Sequence, residues 1–302
     1  MKDKLTPVIV ILIVIAAFLA GSLWMKSKYS GEKPAEGNKQ QASGQPAAQA
    51  APEFKAVTTD NPEVKFFVMS FCPYGNQAEY GLKPVTELLG DQVVWEPVYI
   101  VADAKASCEL GCANRVYDEA RCQQLVDSGR VPDMDACKGY FPYSDKETCI
   151  AENCVSLEAG KFDSLHGEQE LNQDVREICA WNMGDEAKWW DFVDRVNKSC
   201  TYENADTCWE EHATAAGLDA AAISQCEQQQ ASNLLSGQLD IVTKFKVQGS
   251  PTIYINGVLY QGGRTPEDYK TAICASFKNP PEECNTVLSA GDQQAPAPGS
   301  CN

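Results

Sequence analysis

Cys72 is the residue of this sequence best placed to do chemistry. It follows an apolar, β-favouring run over Val64–Met69, and Pro73 behind it suits the first turn of a helix that continues over Asn76–Leu89. A thiol at a helix start meets unpaired backbone N–H groups and the positive end of the helix dipole. These favour the thiolate and lower the pKa of the thiol below its ordinary value of about 8.5. Cys72 is therefore a candidate nucleophile, and a structural disulfide is the alternative.

A second element with chemical meaning lies far downstream. Thr252–Ile255 and Val258–Tyr260 have the composition of two short strands, and Asn256-Gly257 between them is a strong hairpin signal. Pro251 opens the first of these strands. Taken alone, such a proline would be trans, as most X-Pro bonds are.

Together the two stretches resemble the thioredoxin superfamily, in which a loop ending in a cis-proline lies beside the reactive cysteine and holds the substrate backbone. The resemblance implies an α/β, thioredoxin-like fold. It implies that Pro251 is cis, and that Ser250, Pro251 and Thr252 bind the substrate. No cofactor is expected.

The motif Cys72-Pro73-Tyr74-Gly75 resembles the active sites of the glutaredoxin and DsbA type, with one departure. Gly75 stands where a dithiol site has its second cysteine. A single Cys72 can form only a mixed disulfide that another thiol must resolve, which favours reduction or isomerisation over net oxidation. Cys72, Pro73, Tyr74, Gly75 and Pro251 are the predicted catalytic residues.

The cysteine content indicates an oxidising compartment. Fourteen cysteines occur in 302 residues, without a C-x-x-C pair and with neither histidine at a zinc-finger offset, so disulfides are favoured over a metal site. Cys274 and Cys284 are the most readily predicted pair. If Cys72 stays free, the other thirteen allow six bridges with one cysteine left over. Cys301 or a cysteine of the central region is a candidate for that leftover and for a resolving thiol.

The N-terminal segment predicts a membrane anchor. Pro7–Trp24 is uncharged, mostly apolar and about long enough to span a bilayer. A cleaved signal is the alternative, but small residues do not stand at the spacing that cleavage needs. The chain is then predicted to comprise a signal-anchor (1–26), a flexible linker (27–54), a thioredoxin-like domain (55–287) with a helical, disulfide-rich insertion (about 102–239) and a disordered tail (288–302).

Inside the domain, Val93–Val101 predicts a second strand parallel to the first, with Pro97 indicating a sheet edge. The composition of Gly129–Tyr143 is typical of a loop. Amphipathic patterns in the insertion predict four helices, over Leu171–Ala180, Ala187–Lys198, Asp206–Ala216 and Ala220–Leu235.

The insertion carries a further resemblance, to the gamma-interferon-inducible lysosomal thiol reductase family. The family signature is matched at His166, Gly167, Glu170 and Cys179, whereas Ser164 and Leu171 stand where the family has cysteines. This makes His166 and Cys179 auxiliary candidates. The alternative for His166 is a helix-cap or core histidine held by Glu168 or Glu170.

Two other stretches, Trp190–Cys200 and Gly249–Cys284, resemble the luminal central region of plant vacuolar sorting receptors, which is a binding module. The pair Trp189-Trp190 is interpreted as core rather than as a ligand platform.

The functional prediction combines these signals. A formal net charge of −17 argues against nucleic acid and against anionic lipid surfaces. The sequence predicts a membrane-anchored, extracytoplasmic thiol-disulfide oxidoreductase that acts on cysteine-containing secreted or surface proteins. A redox partner thiol or a membrane oxidoreductase would reload Cys72. The alternative is a redox-inactive, thioredoxin-fold module that binds peptides or proteins and keeps Cys72 locked in a bridge.

Overall fold

The computed structural model describes residues 54–158 and 160–289. The predicted anchor, the linker up to residue 53 and the tail from residue 290 lie outside the described residues. Across the described ranges, no helix is both long enough and apolar enough to cross a bilayer.

Six strands and ten α-helices make up the described structure. In chain order the strands are β1 (Glu63–Val68), β2 (Val94–Tyr99), β3 (Ala102–Asp103), β4 (Phe162–Asp163), β5 (Thr252–Ile255) and β6 (Val258–Tyr260). The helices are α1 (Pro73–Leu89), α2 (Ala104–Asn114), α3 (Glu119–Asp127), α4 (Met134–Tyr140), α5 (Lys146–Asn153), α6 (Glu168–Trp181), α7 (Glu186–Ser199), α8 (Ala205–Ala215), α9 (Ala220–Phe245) and α10 (Pro266–Cys274).

The main sheet has the strand order β2-β1-β5-β6. β1 and β2 are parallel and connected through α1, whereas β5 runs antiparallel to β1 and forms a hairpin with β6. The predicted parallel strand and the hairpin are therefore confirmed. Pro97 lies in β2 at the edge of this sheet, where the missing N–H of a proline is tolerated.

Helices cover both faces of the sheet, which explains why the consecutive residues Phe66, Phe67 and Val68 of β1 are all buried. Phe66 points to the face packed by α1 and α7, where its ring stacks on Trp190 with centroids 5.5 Å apart. The neighbouring Phe67 points to the opposite face and contacts Val242 and Phe245 at the end of α9. Trp189 and Trp190 are buried, so their interpretation as core is confirmed.

The insertion is more helical than the sequence pattern indicates. α9 continues ten residues past the predicted end at Leu235, because its last turns pack Val242 and Phe245 onto the sheet. Gln238 in this extension accepts a hydrogen bond from the Tyr99 backbone N–H, at 2.7 Å, and so covers the exposed edge of β2.

The loop predicted over Gly129–Tyr143 is wrong in its second half, which forms α4. Asp133 caps this helix by accepting a hydrogen bond from the Ala136 backbone N–H, at 2.7 Å. A bridge from Cys137 to Cys122 then fixes α4 to α3. The helix is only seven residues long, which is too short for an apolar periodicity to be recognised in the sequence. A helix of this length is not stable alone, so the cap and the disulfide stabilise it.

The packing under β1 gives a first testable prediction. Trp189→Ala removes an indole that lies edge-on to Phe66 and donates a hydrogen bond to the Glu177 carbonyl oxygen, at 2.9 Å. We expect urea denaturation to show a loss of about 3–5 kcal/mol in the free energy of unfolding. The exposed Met183→Ala should change it by less than about 0.5 kcal/mol. Equal losses in the two variants would contradict this packing.

Candidate functional site

Cys72 lies between the end of β1 and the start of α1. It is the N-cap residue of α1, with Pro73 in the first turn, and its carbonyl oxygen accepts the Asn76 N–H at 2.9 Å. The Cys72 side chain is buried, with Met69 and Ile100 packed around it. Its sulfur thus stands at the positive end of a 17-residue helix whose first turn holds no acidic side chain.

The proline loop lies directly beside this sulfur. The Ser250–Pro251 peptide bond is cis, as the resemblance implied, and Cys72 Sγ lies 3.7 Å from the Ser250 carbonyl oxygen. Thr252 donates its hydroxyl to the Gly249 carbonyl oxygen at 2.7 Å, which closes the loop on itself. The fold therefore brings together residues separated by 178 positions in the sequence.

The surroundings of Gly75 explain why a residue without a Cβ stands at this position. A Cβ at this position would lie 2.6 Å from Ser250 Oγ and 3.6 Å from Cys72 Cβ. The Ser250 hydroxyl thus occupies the space in which the second cysteine of a dithiol site would begin. Tyr74, two residues into the motif, is exposed, and the Arg264 guanidinium lies 5.8 Å from its ring centroid.

The disulfides define the redox state of the site. Cys72 is itself disulfide-bonded. The other described cysteines pair among themselves in six bridges, namely Cys108–Cys154, Cys112–Cys149, Cys122–Cys137, Cys179–Cys226, Cys200–Cys208 and Cys274–Cys284. The predicted pair of Cys274 and Cys284 is confirmed, and Cys179 is buried and held in a bridge of the insertion.

Two groups of side chains in the described region bring metal-ligand atoms close together. One comprises Cys108, Cys112 and Cys154, and the other Cys200, Cys208 and His212. All five sulfurs belong to disulfides, and a metal ligand must be a thiolate.

The loop before Cys72 is anchored by carboxylates of the insertion. Glu170, fully buried on α6, accepts hydrogen bonds from the Phe71 N–H at 3.0 Å and from the Ser164 hydroxyl at 2.7 Å. Asp174, one turn further, accepts from both the N–H and the hydroxyl of Ser70, at 3.0 and 2.6 Å. The insertion therefore determines where the active-site loop lies.

His166 belongs to this anchor rather than to the immediate surroundings of the sulfur. Its backbone N–H donates to Glu170 Oε2 at 2.9 Å, and its Nδ1 lies 2.8 Å from Glu170 Oε1. The ring also stacks on Tyr202, with centroids 5.2 Å apart. Of the two residues weighed as its partner, Glu170 is the one in contact.

A third acid continues the row along α6. Glu177 accepts a hydrogen bond from the Tyr99 hydroxyl at 2.7 Å and another from the Gln173 amide at 2.9 Å. Burial raises the pKa of Glu177 to about 7, against the opposing effect of these hydrogen bonds. Burial and the nearby Glu170 raise the pKa of Asp174, and burial and Glu177 raise that of Glu79 on α1.

Sequence reasoning missed that these acids are buried, although it named Glu170 as a match to a family signature and as one of two partners weighed for His166. Glu170, Asp174 and Glu177 stand at i, i+4 and i+7, so they share one face of α6. In a sequence, such a stripe has the pattern of a solvated helix face. The one local signal is that the apolar residues of α6 are too few to form the buried face alone.

Two clefts adjoin the site. One, of about 310 Å³, is lined by Met69, Ile100, Leu165 and Gly249 among others. The second, of about 490 Å³, runs along the proline loop and is lined by Ser250, Pro251 and Thr252 among others. The three predicted substrate-binding residues thus face one groove.

Two observations decide the fold. The first is the sheet order, with a cis-proline beside a cysteine at a helix start. The second is a match to a family model. That family is the vacuolar sorting receptor thioredoxin-like domain, and it matches residues 143–274. The fold is thioredoxin-like. This confirms the resemblance to the thioredoxin fold and the one to the sorting receptors, whereas the resemblance to the lysosomal thiol reductase family stays a prediction.

Three solved structures are similar to this chain at low identity. Reduced DsbA from Mycobacterium tuberculosis is 14% identical, with a TM-score of 0.43, over 76% of this chain and 92% of that one. DsbG from the same organism is 15% identical, with a TM-score of 0.42, over 76% and 88%. BdbD from Bacillus subtilis is 12% identical, with a TM-score of 0.43, over 74% and 92%. A comparison with curated proteins found no significant match.

The anchoring role of Glu170 is testable. The two carboxylate oxygens of Glu170 accept hydrogen bonds from four donors. Glu170→Gln replaces one of these oxygens by an amide nitrogen, so the Phe71 N–H or another donor loses its acceptor. We expect the unfolding midpoint to fall by several degrees, in line with about 1–3 kcal/mol for an unmet buried hydrogen bond. Hydrogen exchange at the Phe71 amide should become faster. The exposed Glu168→Gln serves as the control, and unchanged exchange in Glu170→Gln would contradict the anchor.

The raised pKa of Glu177 predicts a pH dependence of stability. Between the ordinary pKa of a glutamic acid and about 7, the folded protein keeps a proton that the unfolded chain has released. The folded state binds more protons in this window, so this contribution is complete at low pH and is lost as the pH rises through 7.

We therefore expect a lower thermal midpoint at pH 8 than at pH 5.5. The difference should shrink in Glu177→Gln and persist in Glu119→Gln, which alters an exposed acid. A slope that is identical in all three proteins would rule out Glu177 as its source.

Proposed function

We propose that this protein is a thiol-disulfide oxidoreductase that exchanges disulfides with cysteine-containing secreted or surface proteins. The observation that carries the proposal is the position of Cys72 Sγ, at the N-terminus of α1 and 3.7 Å from the carbonyl of the cis-proline loop. The helix dipole and backbone N–H groups stabilise a thiolate there. The groove along Ser250–Thr252 offers backbone groups to an extended peptide.

The reaction begins with Cys72 as a thiolate. Its sulfur attacks a substrate disulfide, forms a bond to one substrate sulfur and releases the other as a thiolate. A second thiol then attacks the mixed disulfide, which frees Cys72. If the released substrate thiol does this, the result is isomerisation, and if a different thiol does it, the substrate is reduced.

Because Gly75 stands where a dithiol site has its second cysteine, the resolving thiol must come from elsewhere. The twelve cysteines in the six described bridges are occupied, so by count from the sequence the remaining partner for Cys72 within this chain is Cys301, which lies outside the described residues. We assign Cys301 the role of resolving thiol. When Cys301 resolves the mixed disulfide, the pair gives two electrons to the substrate and closes as a bridge, and an external dithiol must return two electrons before the next cycle.

We place this activity on the extracytoplasmic side of a membrane. Six bridges in the described residues favour an oxidising compartment, and the apolar run over Pro7–Trp24 favours a single N-terminal anchor. Dithiol proteins or a membrane oxidoreductase are the corresponding redox partners.

A second candidate function is a binding module without redox turnover. The match to the vacuolar sorting receptor domain over residues 143–274 supports it, and so does the bonded state of Cys72. In that case the groove along the proline loop would hold a peptide, and the Cys72 bridge would be structural.

The Cys72→Ser variant separates the two functions. If the protein is an enzyme, reduced Cys72→Ser should reduce a disulfide-linked peptide at least about tenfold more slowly than the reduced native protein, because the variant lacks the nucleophile. The double variant Cys122→Ser/Cys137→Ser removes a distant bridge and should keep its rate. Circular dichroism shows whether each variant is folded.

Either of two results would contradict the enzymatic function. If folded Cys72→Ser matches the native rate, or if mild dithiol fails to open the Cys72 bridge in peptide maps, the binding module is the better function. Peptide maps of the oxidised protein also report whether Cys301 is the partner of Cys72.

A further inference from the structure

Two disulfides lie side by side in the helical hairpin of α2 and α5. Cys108 and Cys112 are one turn apart on α2, and they pair with Cys154 and Cys149 at the end and middle of α5. With Tyr143 and Ile150 they form a small cluster separate from the main core. Cys122–Cys137, by contrast, joins α3 and α4 as a single bridge.

The sulfurs of the two neighbouring bridges are in contact. Cys112 Sγ lies 3.8 Å from Cys154 Sγ, although the two belong to different disulfides. Cys108, Cys112 and Cys154 have sulfurs that all lie within 4.8 Å of one another. A thiolate created at Cys154 would therefore already be next to a disulfide sulfur, which gives the intramolecular reaction a high effective concentration.

A polar group lies beside the sulfur that would leave in that reaction. The Asn153 side-chain nitrogen lies 3.8 Å from Cys149 Sγ, and the same amide donates to the Cys149 carbonyl oxygen and to the Tyr143 hydroxyl, both at 2.8 Å. An N–H donor stabilises a thiolate, and a more stable thiolate leaves faster.

The outer bridge is accessible from a cleft. Cys108 is the least buried of the four sulfur residues and lines a cleft of about 590 Å³ together with Ser107 and Asp163. Ser107 and Asp163 also line the cleft beside Met69 and Gly249, next to the Cys72 site. A thiol that enters this region can reach the outer bridge at Cys108.

We propose that these two bridges form a second redox-active site, which takes up two electrons from a dithiol by internal exchange. The entering thiolate attacks Cys108 Sγ, forms a mixed disulfide and releases Cys154 as a thiolate. Cys154 then attacks Cys112 Sγ, forms a Cys112–Cys154 bridge and releases Cys149 as a thiolate. The second thiol of the substrate attacks the mixed disulfide, which frees Cys108 and leaves the substrate as a disulfide.

The exchange has a structural advantage over plain reduction. After it, Cys108 and Cys149 are thiols, but the new Cys112–Cys154 bridge still joins α2 to α5. The crosslink restricts the unfolded chain much as the native bridges do, so the small hairpin stays closed while the site is reduced. A hairpin with so small an apolar cluster needs such a crosslink.

The test is graded reduction with dithiothreitol of the full chain carrying Cys72→Ser, followed by alkylation and peptide mapping. The first species reduced at this hairpin should have free Cys108 and Cys149 and a Cys112–Cys154 bridge. It should form at lower dithiol concentration than the species with an open Cys122–Cys137 bridge. Free Cys108 and Cys154 with Cys112–Cys149 intact would overturn the proposal. Since Cys72 is absent, the result is independent of the proposed function.

A trapping variant checks the exchanged bridge directly. Cys108→Ser/Cys149→Ser leaves Cys112 and Cys154, which should oxidise to one bridge in air with native helix content. The matched Cys112→Ser/Cys154→Ser leaves Cys108 and Cys149, and it should oxidise at least about tenfold more slowly. Cys149 lies outside the group of three close sulfurs. Equal rates, or a folded trapping variant that forms no bridge, would refute the exchange.

Discussion

The hydrogen bonds between buried carboxylates of α6 and the backbone of the Ser70–Phe71 loop are the interaction on which the site depends. Without them, the strand-to-helix turn that carries Cys72 would be positioned by local packing alone. Glu170 and Asp174 each accept from a backbone N–H of this loop and from a hydroxyl. These acids are buried, so each lost hydrogen bond would leave an unmet polar group in the interior. The insertion is thereby made a structural part of the thioredoxin-like site.

Two different forces hold the insertion itself. Its second half, α6 to α9, packs on the sheet through Trp189, Phe192 and the end of α9, and so shares the main core. Its first half, α2 to α5, has only two small apolar clusters, each built around disulfides. Hydrophobic burial on that scale is too small to fold four short helices, and the bridges provide the remaining stabilisation. This difference explains why three of the six described bridges lie in the first half.

Local patterns sufficed where the structure is decided locally. The hairpin at Asn256-Gly257, the helix after Pro73 and the Cys274–Cys284 bridge were all predictable, because each depends on residues close in the chain. The cis state of Pro251 followed from the family resemblance and not from the residues themselves. The extension of α9 and the helix α4 were missed, since a sheet contact and a disulfide stabilise them.

The sequence by itself determined that a cysteine stands at a helix start, that a proline loop opens the hairpin, and that disulfides hold the chain. Only the tertiary structure decided that Ser250 fills the space beside Gly75, that α6 turns its acids inward, and that Cys112 and Cys154 touch across two bridges. The reason is physical. Strand, turn and cap preferences act over a few residues, whereas burial of a carboxylate or contact of two sulfurs depends on which distant surfaces pack together.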